Sequence, residues 1–296
     1  MKNFMKLSVI VLGLTLYLMP TSQANAAACS INSNGEITDT SSCTTDTNIR
    51  LLTIYEIGLC TSQPSGPTAS TAFDSTTNCG LLFGNNEGST VAITSSGSTA
   101  LTGSVPPTVD LGTYTHLYMF MGTKAGINTS VKFATARSTD SASSGTTARE
   151  TGTTCWTKAG DKYNWNPDAW SVTPSNIVCG STITNQDTAW TLQNSLGPNS
   201  AVFSQIVTTS AGTYEVYLTK TDRTLATTAT NNSMGNVAKV LVTAPINVVV
   251  NKNTKNVNLS FKILDSTNVD QLTVGGTSFV YDLAGNGAIF IRTTAN

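Results

Sequence analysis

This 296-residue chain is poor in the groups that do chemistry. It has one histidine, His116, and only 11% charged residues, less than half the share of an ordinary soluble domain. A single imidazole excludes His-rich metal sites and leaves any Ser-His-Asp triad dependent on one residue. The sequence has no Gly-x-Ser-x-Gly elbow, Ser-x-x-Lys, Walker loop, Gly-x-Gly-x-x-Gly or Cys-x-x-Cys. The usual nucleophile, phosphate-cradling and dithiol chemistries are therefore without their motifs. There is no basic run to attract nucleic acid. Beyond the first residues no apolar stretch approaches the roughly 20 residues of a spanning helix, so no transmembrane segment, metal or cofactor is expected.

What is there begins with Lys2 and Lys6, an apolar run from Leu7 to Met19, Pro20, and Ala24-Asn25-Ala26. This reads as a signal peptide over residues 1–26 with a small-x-small cleavage site. The mature chain is expected to be secreted or at the cell surface, with a periplasmic location as the alternative. Loss of Lys2 and Lys6 takes the formal charge from −1 to −3. A second reading makes Cys29 a lipidated first residue, because Ala26-Ala27-Ala28-Cys29 resembles a lipoprotein signal. The even set Cys29, Cys43, Cys60, Cys79, Cys155 and Cys179 argues against it, since acylation would leave an odd thiol. Their grouping suggests three local disulfides, 29 with 43, 60 with 79 and 155 with 179.

Period-two patterns dominate after the leader. In Leu51–Cys60 the odd positions Leu51, Tyr55, Ile57 and Leu59 suggest one face of a strand. Leu81–Phe83 and Thr90–Ile93 flank GNNEG as a hairpin. Thr113–Met121 and Ile127–Ala134 read as an adjacent pair. Further strands are expected at 201–208, 213–219, 238–243, 246–250 and 257–263, with a last hairpin joining 278–283 to 288–292. Gly-Thr-Tyr opens strands at both 112 and 212, which suggests either duplication or ordinary strand-entry chemistry. From Arg137 to Thr154 the chain carries ten Ser or Thr and no large apolar residue, so it reads as an exposed loop or linker.

Short strands separated by turn chemistry imply an all-β fold, an antiparallel β-sandwich with a disulfide-closed, Trp-rich insertion. The expected organisation is a stapled N-terminal segment over 27–47 and a sandwich over 48–296 with an insertion at about 136–190. Two sandwiches, 48–135 and 191–296, are the alternative. LLTIYEIGLCTS, LGTYTHLYMFMG and NVNLSFKILDSTNVD resemble, in order and spacing, secreted bacterial β-sandwich domains of the transthyretin-like and immunoglobulin-like kind. The resemblance covers about half the chain. It implies an architecture and an envelope location, and carries over no catalytic residue.

Three of the four tryptophans lie between Cys155 and Cys179. Trp156, Tyr163, Trp165 and Trp170 suggest a stacking platform for sugar rings, with Asn164, Asn166 and Asp168 bonding hydroxyls. The alternative is a satellite core beneath a disulfide. Asn164-x-Asn166-x-Asp168 starts like a calcium loop, but Ala169 replaces the sixth-position Gly and Ser175 the final Glu. Asp161 and Asp168 are the carboxylates nearest these aromatics, the pair a glycoside-active enzyme would use. His116, among Tyr114 and Tyr118, reads as a packed strand histidine. The function expected is a non-catalytic structural or adhesive protein, a filament or coat subunit that self-associates through terminal strands. A carbohydrate-binding module that takes glycans is the alternative.

Overall fold

The computed structural model describes residues 7–8, 27–45, 49–93, 100–101, 103–140, 148–163, 177–196, 201–209, 212–230, 233–263, 267–274, 276–283 and 289–295. Every helix or strand among them is a strand. In chain order these are β1 (Leu7–Ser8), β2 (Cys43–Thr45), β3 (Ile49–Cys60), β4 (Cys79–Ile93), β5 (Ala100–Leu101) and β6 (Gly112–Asn128). Then follow β7 (Ser130–Asp140), β8 (Ala148–Thr157), β9 (Gly160–Tyr163), β10 (Ile177–Gly180), β11 (Ala189–Leu192) and β12 (Ser204–Thr209). The last six are β13 (Gly212–Thr219), β14 (Lys239–Val250), β15 (Val257–Ile263), β16 (Thr267–Val274), β17 (Thr277–Asp282) and β18 (Ile289–Ala295). Among the described residues no helix is long and apolar enough to cross a membrane.

The chain is all-β, as its period-two patterning predicts, with two antiparallel-rich sheets. In the larger sheet the long β6 is central. One edge of β6 pairs with β14 and, further along, β11, while the other pairs with β3, which carries β4. Strands β13 and β12 continue beyond β14. Both Gly-Thr-Tyr strands, β6 and β13, thus flank β14. The smaller sheet runs β10-β8-β7-β17-β16-β2. Parallel pairing occurs only at β9 with β11 and β7 with β17 among the named strands.

Alternation along β6 builds two clusters on opposite faces of the larger sheet. Leu117, Met119 and Met121 enter a main aliphatic core with Val240, Val242, Ile54 and Leu59. Tyr118 and Phe120 turn the other way, into an aromatic cluster with Phe73, Tyr217 and Leu241. Burying each such side chain contributes about 1.5–3 kcal/mol. The smaller sheet has its own core, in which Ile37, Val131, Phe133, Val269 and Val280 surround two of the disulfides.

The three disulfides are those the spacing suggests: Cys29–Cys43, Cys60–Cys79 and Cys155–Cys179. Cys60 faces Cys79 across β3 and β4, and Cys155 faces Cys179 across β8 and β10. Cys29, bonded to Cys43, keeps no thiol for acylation.

Several local expectations are corrected. GNNEG is not a hairpin: β4 runs unbroken past it, and residues 85–88 bulge out where Ile54 pairs with Ser89 and Glu56 with Gly84. The bulge closes on itself, with Asn85 accepting from the Glu87 amide and donating to Ser89, and Gly88 at φ 77°. The inward face of β3 is Leu52 and Ile54, then Ile57 and Leu59, because a register shift at Tyr55 inserts one residue and flips the parity. Tyr55 packs against the aromatic cluster instead.

The Ser/Thr stretch expected to be an exposed loop forms the facing parts of β7 and β8. Arg137, Ser138 and Thr139 are buried, and Ser138 and Thr151 share a 2.8 Å hydroxyl bond. Threonine suits a pleated surface, and cross-strand hydroxyl pairs replace apolar packing. Only residues 141–147 of it lie outside the described residues. Residues 127–134 do not pair back on 113–121, since β6 runs on to Asn128 and β7 joins the other sheet. The last two strands do not pair as a hairpin: β17 pairs with β16 and β7, and β18 with β15.

Candidate functional site

The aromatic face of the larger sheet holds a cleft of about 530 Å³, within the range of about 300–1,000 Å³ typical of small-molecule sites. Tyr118 on β6 lines it, opposite Gly58 on β3. A Cβ at Gly58 would stand 2.1 Å from the Tyr118 ring. Glycine there lets the ring lie across β3, so that its hydroxyl reaches Glu56 Oε1 at 2.7 Å. Burial, then the charge and hydrogen bond of Glu56, pushes the Tyr118 phenol above its ordinary range.

The roof is the 61–78 loop, stapled at its base by Cys60–Cys79. Phe73 plants it, with ring centres 5.2 Å from Tyr118 and 5.6 Å from Phe120. Next to it, Asp74 accepts from the Thr76 amide at 2.7 Å, the Thr76 hydroxyl at 2.6 Å and the Thr77 amide at 3.2 Å. Hydrogen bonding from Thr76 and then Thr77 holds its carboxyl well below the usual range. The turn they make presents Ser75 to the cleft.

Arg223 closes the site from a second loop. It sits at φ 66° in a turn where Lys220 and Thr224 bond each other, and Asp222 accepts from Thr224. Left-handed backbone at a residue with a Cβ costs about 1–2 kcal/mol. The guanidinium compensates: Nη2 donates to Glu56 Oε2 at 2.7 Å, Nη1 to Ser75 at 2.9 Å, and its carbon lies 5.0 Å from the Phe120 ring centre. The Phe73 amide donates to the Arg223 carbonyl at 3.1 Å, tying the two loops together.

The rim is made by Asn85 and Asn86 of the β4 bulge and by Val105 and Thr108 of the following segment. That segment is held by bonds from Ser104 N to Gly84 O and Thr108 N to Leu81 O, each 2.8 Å. Tyr55 and Leu81 supply apolar wall. The Lys239 ammonium stands 4.4 Å from the centre of the Tyr55 ring. Burial, then the Arg223 charge, lowers its pKa, against an opposing pull from Glu56. Among the described residues no three His, Cys, Asp or Glu side chains converge to hold a metal.

A second carboxylate, this one buried, lies on the same face. Glu215 accepts from Gln63 at 2.8 Å, Tyr217 at 2.8 Å and Thr243 at 3.4 Å. His116 bonds Thr115 at 3.0 Å, and burial lowers its pKa while the Glu215 charge opposes this.

The residues singled out in the sequence lie elsewhere. Trp156 is buried in β8, and its indole donates to the Thr184 carbonyl at 2.9 Å, so it offers no open face for stacking. Tyr163 ends β9, opposite Leu192; its side chain, with Asn164, Trp165, Asn166, Asp168 and Trp170, lies outside the described residues. Asp161 forms an exposed 2.9 Å pair with Lys124. The cleft residues Glu56, Tyr118 and Arg223 were not singled out. The available signal was Glu56, an acid within an apolar strand of a charge-poor chain. Comparison with protein-family models, curated proteins and solved structures finds no match to this chain.

Proposed function

We propose that this is a secreted or cell-surface non-catalytic protein with an adhesive or structural role, which engages its partner through the Glu56–Arg223 cleft. One observation carries the reading. Both oxygens of Glu56 are occupied, Oε1 by the Tyr118 hydroxyl and Oε2 by the Arg223 guanidinium, so each already has a donor. A general acid or base needs a proton-transfer position open to substrate. Glu56 instead fixes Tyr118 and Arg223 in place, which suits recognition. Disulfides suit an oxidising location, and a Ser/Thr surface tethered at three points suits a protein that works outside the cell.

Beads coated with the oxidised mature chain test the reading in an adhesion assay on polysaccharide- and glycoprotein-coated surfaces. Native protein is expected to retain beads under flow and Arg223→Ala to lose most of that retention. Equal retention by both removes the cleft from the function.

The filament form of the reading draws on β18. It pairs with β15 in a two-stranded unit, separate from both larger sheets, and such strands accept added ones. Higher-order species in size-exclusion chromatography and negative-stain images support it; a strict monomer at high concentration overturns it.

A further inference from the structure

We infer that the cleft takes an uncharged pyranose residue of a glycan. The inference rests on the recognition role just proposed and adds the class of ligand. The charges lining the cleft are spent on one another: Arg223 is committed to Glu56 and Ser75. Lys239 is drawn onto the Tyr55 ring. The nearby carboxylates Asp74 and Asp222 are each engaged by neighbouring threonines. Among the described residues that line the cleft, the charged ones are Glu56 and Arg223, and they are paired with each other.

What remains open is neutral and of mixed polarity. Among the described residues the exposed Asn86 side-chain amide has no hydrogen-bond partner, and neither has the Tyr55 hydroxyl. The Thr108 oxygen accepts the Leu81 amide at 2.9 Å and keeps its own hydrogen to donate. Asn85, locked on both sides of its amide, holds the bulge that presents Asn86. Between these polar groups lie Leu81, Val105 and the Tyr55 ring. A pyranose has the matching pattern, with hydroxyls that both donate and accept around C–H faces that pack on apolar and aromatic surface. A charged glycan would meet a guanidinium whose charge Glu56 already balances.

The test uses the oxidised mature chain on an array of neutral glycans, built from hexoses and N-acetylhexosamines, and acidic glycans, built from uronic, sialic and sulfated sugars. Hits are followed by titration of the free sugar. Neutral glycans are expected to bind, and acidic versions to bind no better than their neutral parents. Asn86→Ala, at an exposed position with no bond of its own to lose, is expected to weaken binding roughly three- to tenfold with unchanged thermal unfolding. Thr108→Val is expected to weaken binding by a similar factor and to lower the unfolding temperature slightly, because it also removes the acceptor of the Leu81 amide, and Thr108→Ser, which keeps that acceptor, is expected to restore both. Tyr55→Phe keeps the ring and is expected to lose a smaller factor. The assignment is overturned by binding confined to acidic glycans, by neutral binding that Asn86→Ala and Thr108→Val leave intact, or by no glycan binding at all. Adhesion separates the two claims. If bead retention depends on Arg223 but neutral sugars do not compete, the ligand class fails and the adhesive role stands. If sugars bind and retention ignores the cleft, the adhesive role fails and the ligand class stands.

Discussion

Replacing Arg223 by alanine and by glycine separates what its side chain contributes from what its backbone costs. Its pair with Glu56 is short, but the Arg223 side chain is 38% exposed, so solvent screening limits the pair to about 1 kcal/mol. The Ser75 bond adds about 1 kcal/mol and the Phe120 contact about 0.5–1 kcal/mol. Alanine loses all three and keeps the backbone at φ 66°, so Arg223→Ala should destabilise by about 2–3 kcal/mol. Glycine loses the same contacts and relieves about 1–2 kcal/mol of backbone strain, against about 0.5–1 kcal/mol for its freer unfolded chain. Arg223→Gly should therefore be the milder change by about 1 kcal/mol. Urea unfolding of the oxidised mature chain measures this. With a slope near 3 kcal/mol/M, alanine should lower the midpoint by roughly 1 M and glycine by about two-thirds of that. A glycine variant as unstable as alanine, at equal slope, refutes the strain argument. A native-like alanine variant refutes the network.

The remaining predictions concern disulfides and pH. Replacing Cys155 and Cys179 together by alanine opens a closure of 24 residues and should cost about 3 kcal/mol, read from the same urea curves. His116 is the lone histidine, so its imidazole C2–H resonance is unambiguous; its midpoint should fall below the ordinary 6.5, because burial disfavours the charged ring. The sign follows: the unfolded chain takes up that proton first, so this residue's contribution is complete above about pH 6.5 and is lost on acidification from there down through the lower folded midpoint. A midpoint above 6.5 would place Glu215 ahead of burial. Tyr118 and Tyr217 are both raised by burial first and by their carboxylate neighbours second. Their stabilisation should hold below about pH 10 and decline above it, and ultraviolet titration should show two phenols ionising only as the protein unfolds. Tyr118→Phe should cost about 1.5–3 kcal/mol by removing a donor to a charged acceptor, and a variant as stable as native would contradict the 2.7 Å bond.

Cysteine spacing carried the disulfides and alternation carried the strands, because both are local. Strands β13 and β15 lie close to where apolar alternation places them. What alternation does not encode is which strand a neighbour will be. Residues 127–134 follow the first part of β6 in sequence, yet the strand they enter, β7, pairs with β8 and β17. Bulges are equally silent: nothing in Leu51–Cys60 marks Tyr55 as the residue where parity flips, and the flip sets the neighbourhood of Glu56. The buried Arg137 escaped for another reason. Besides Thr135 and Ala136 beside it, its partners are the backbone carbonyl of Asp39 and the side-chain oxygen of Gln271, far away in sequence and neither of them a carboxylate that would have drawn notice. The cleft needed Glu56, Ser75, Tyr118 and Arg223 from four separate segments, and no spacing rule joins them.

The smaller sheet is stitched from both ends of the chain, which orders events in time. Strand β2 pairs with β16, and the Gln271 amide donates to Ser42 across 229 residues. Arg137 completes the tie through Asp39 and Gln271. The Cys29–Cys43 ring can form as soon as its 14-residue span reaches an oxidising compartment, but its docking strand, β16, follows more than 200 residues later. At about 5–20 residues per second of synthesis, the ring waits roughly ten to forty-five seconds for that strand. Through that interval Ile37 and Cys43, buried at the end, have nothing from β16 to cover them. Until β16 has followed, β2 lacks its neighbour in the smaller sheet, and this segment stays open to misassembly.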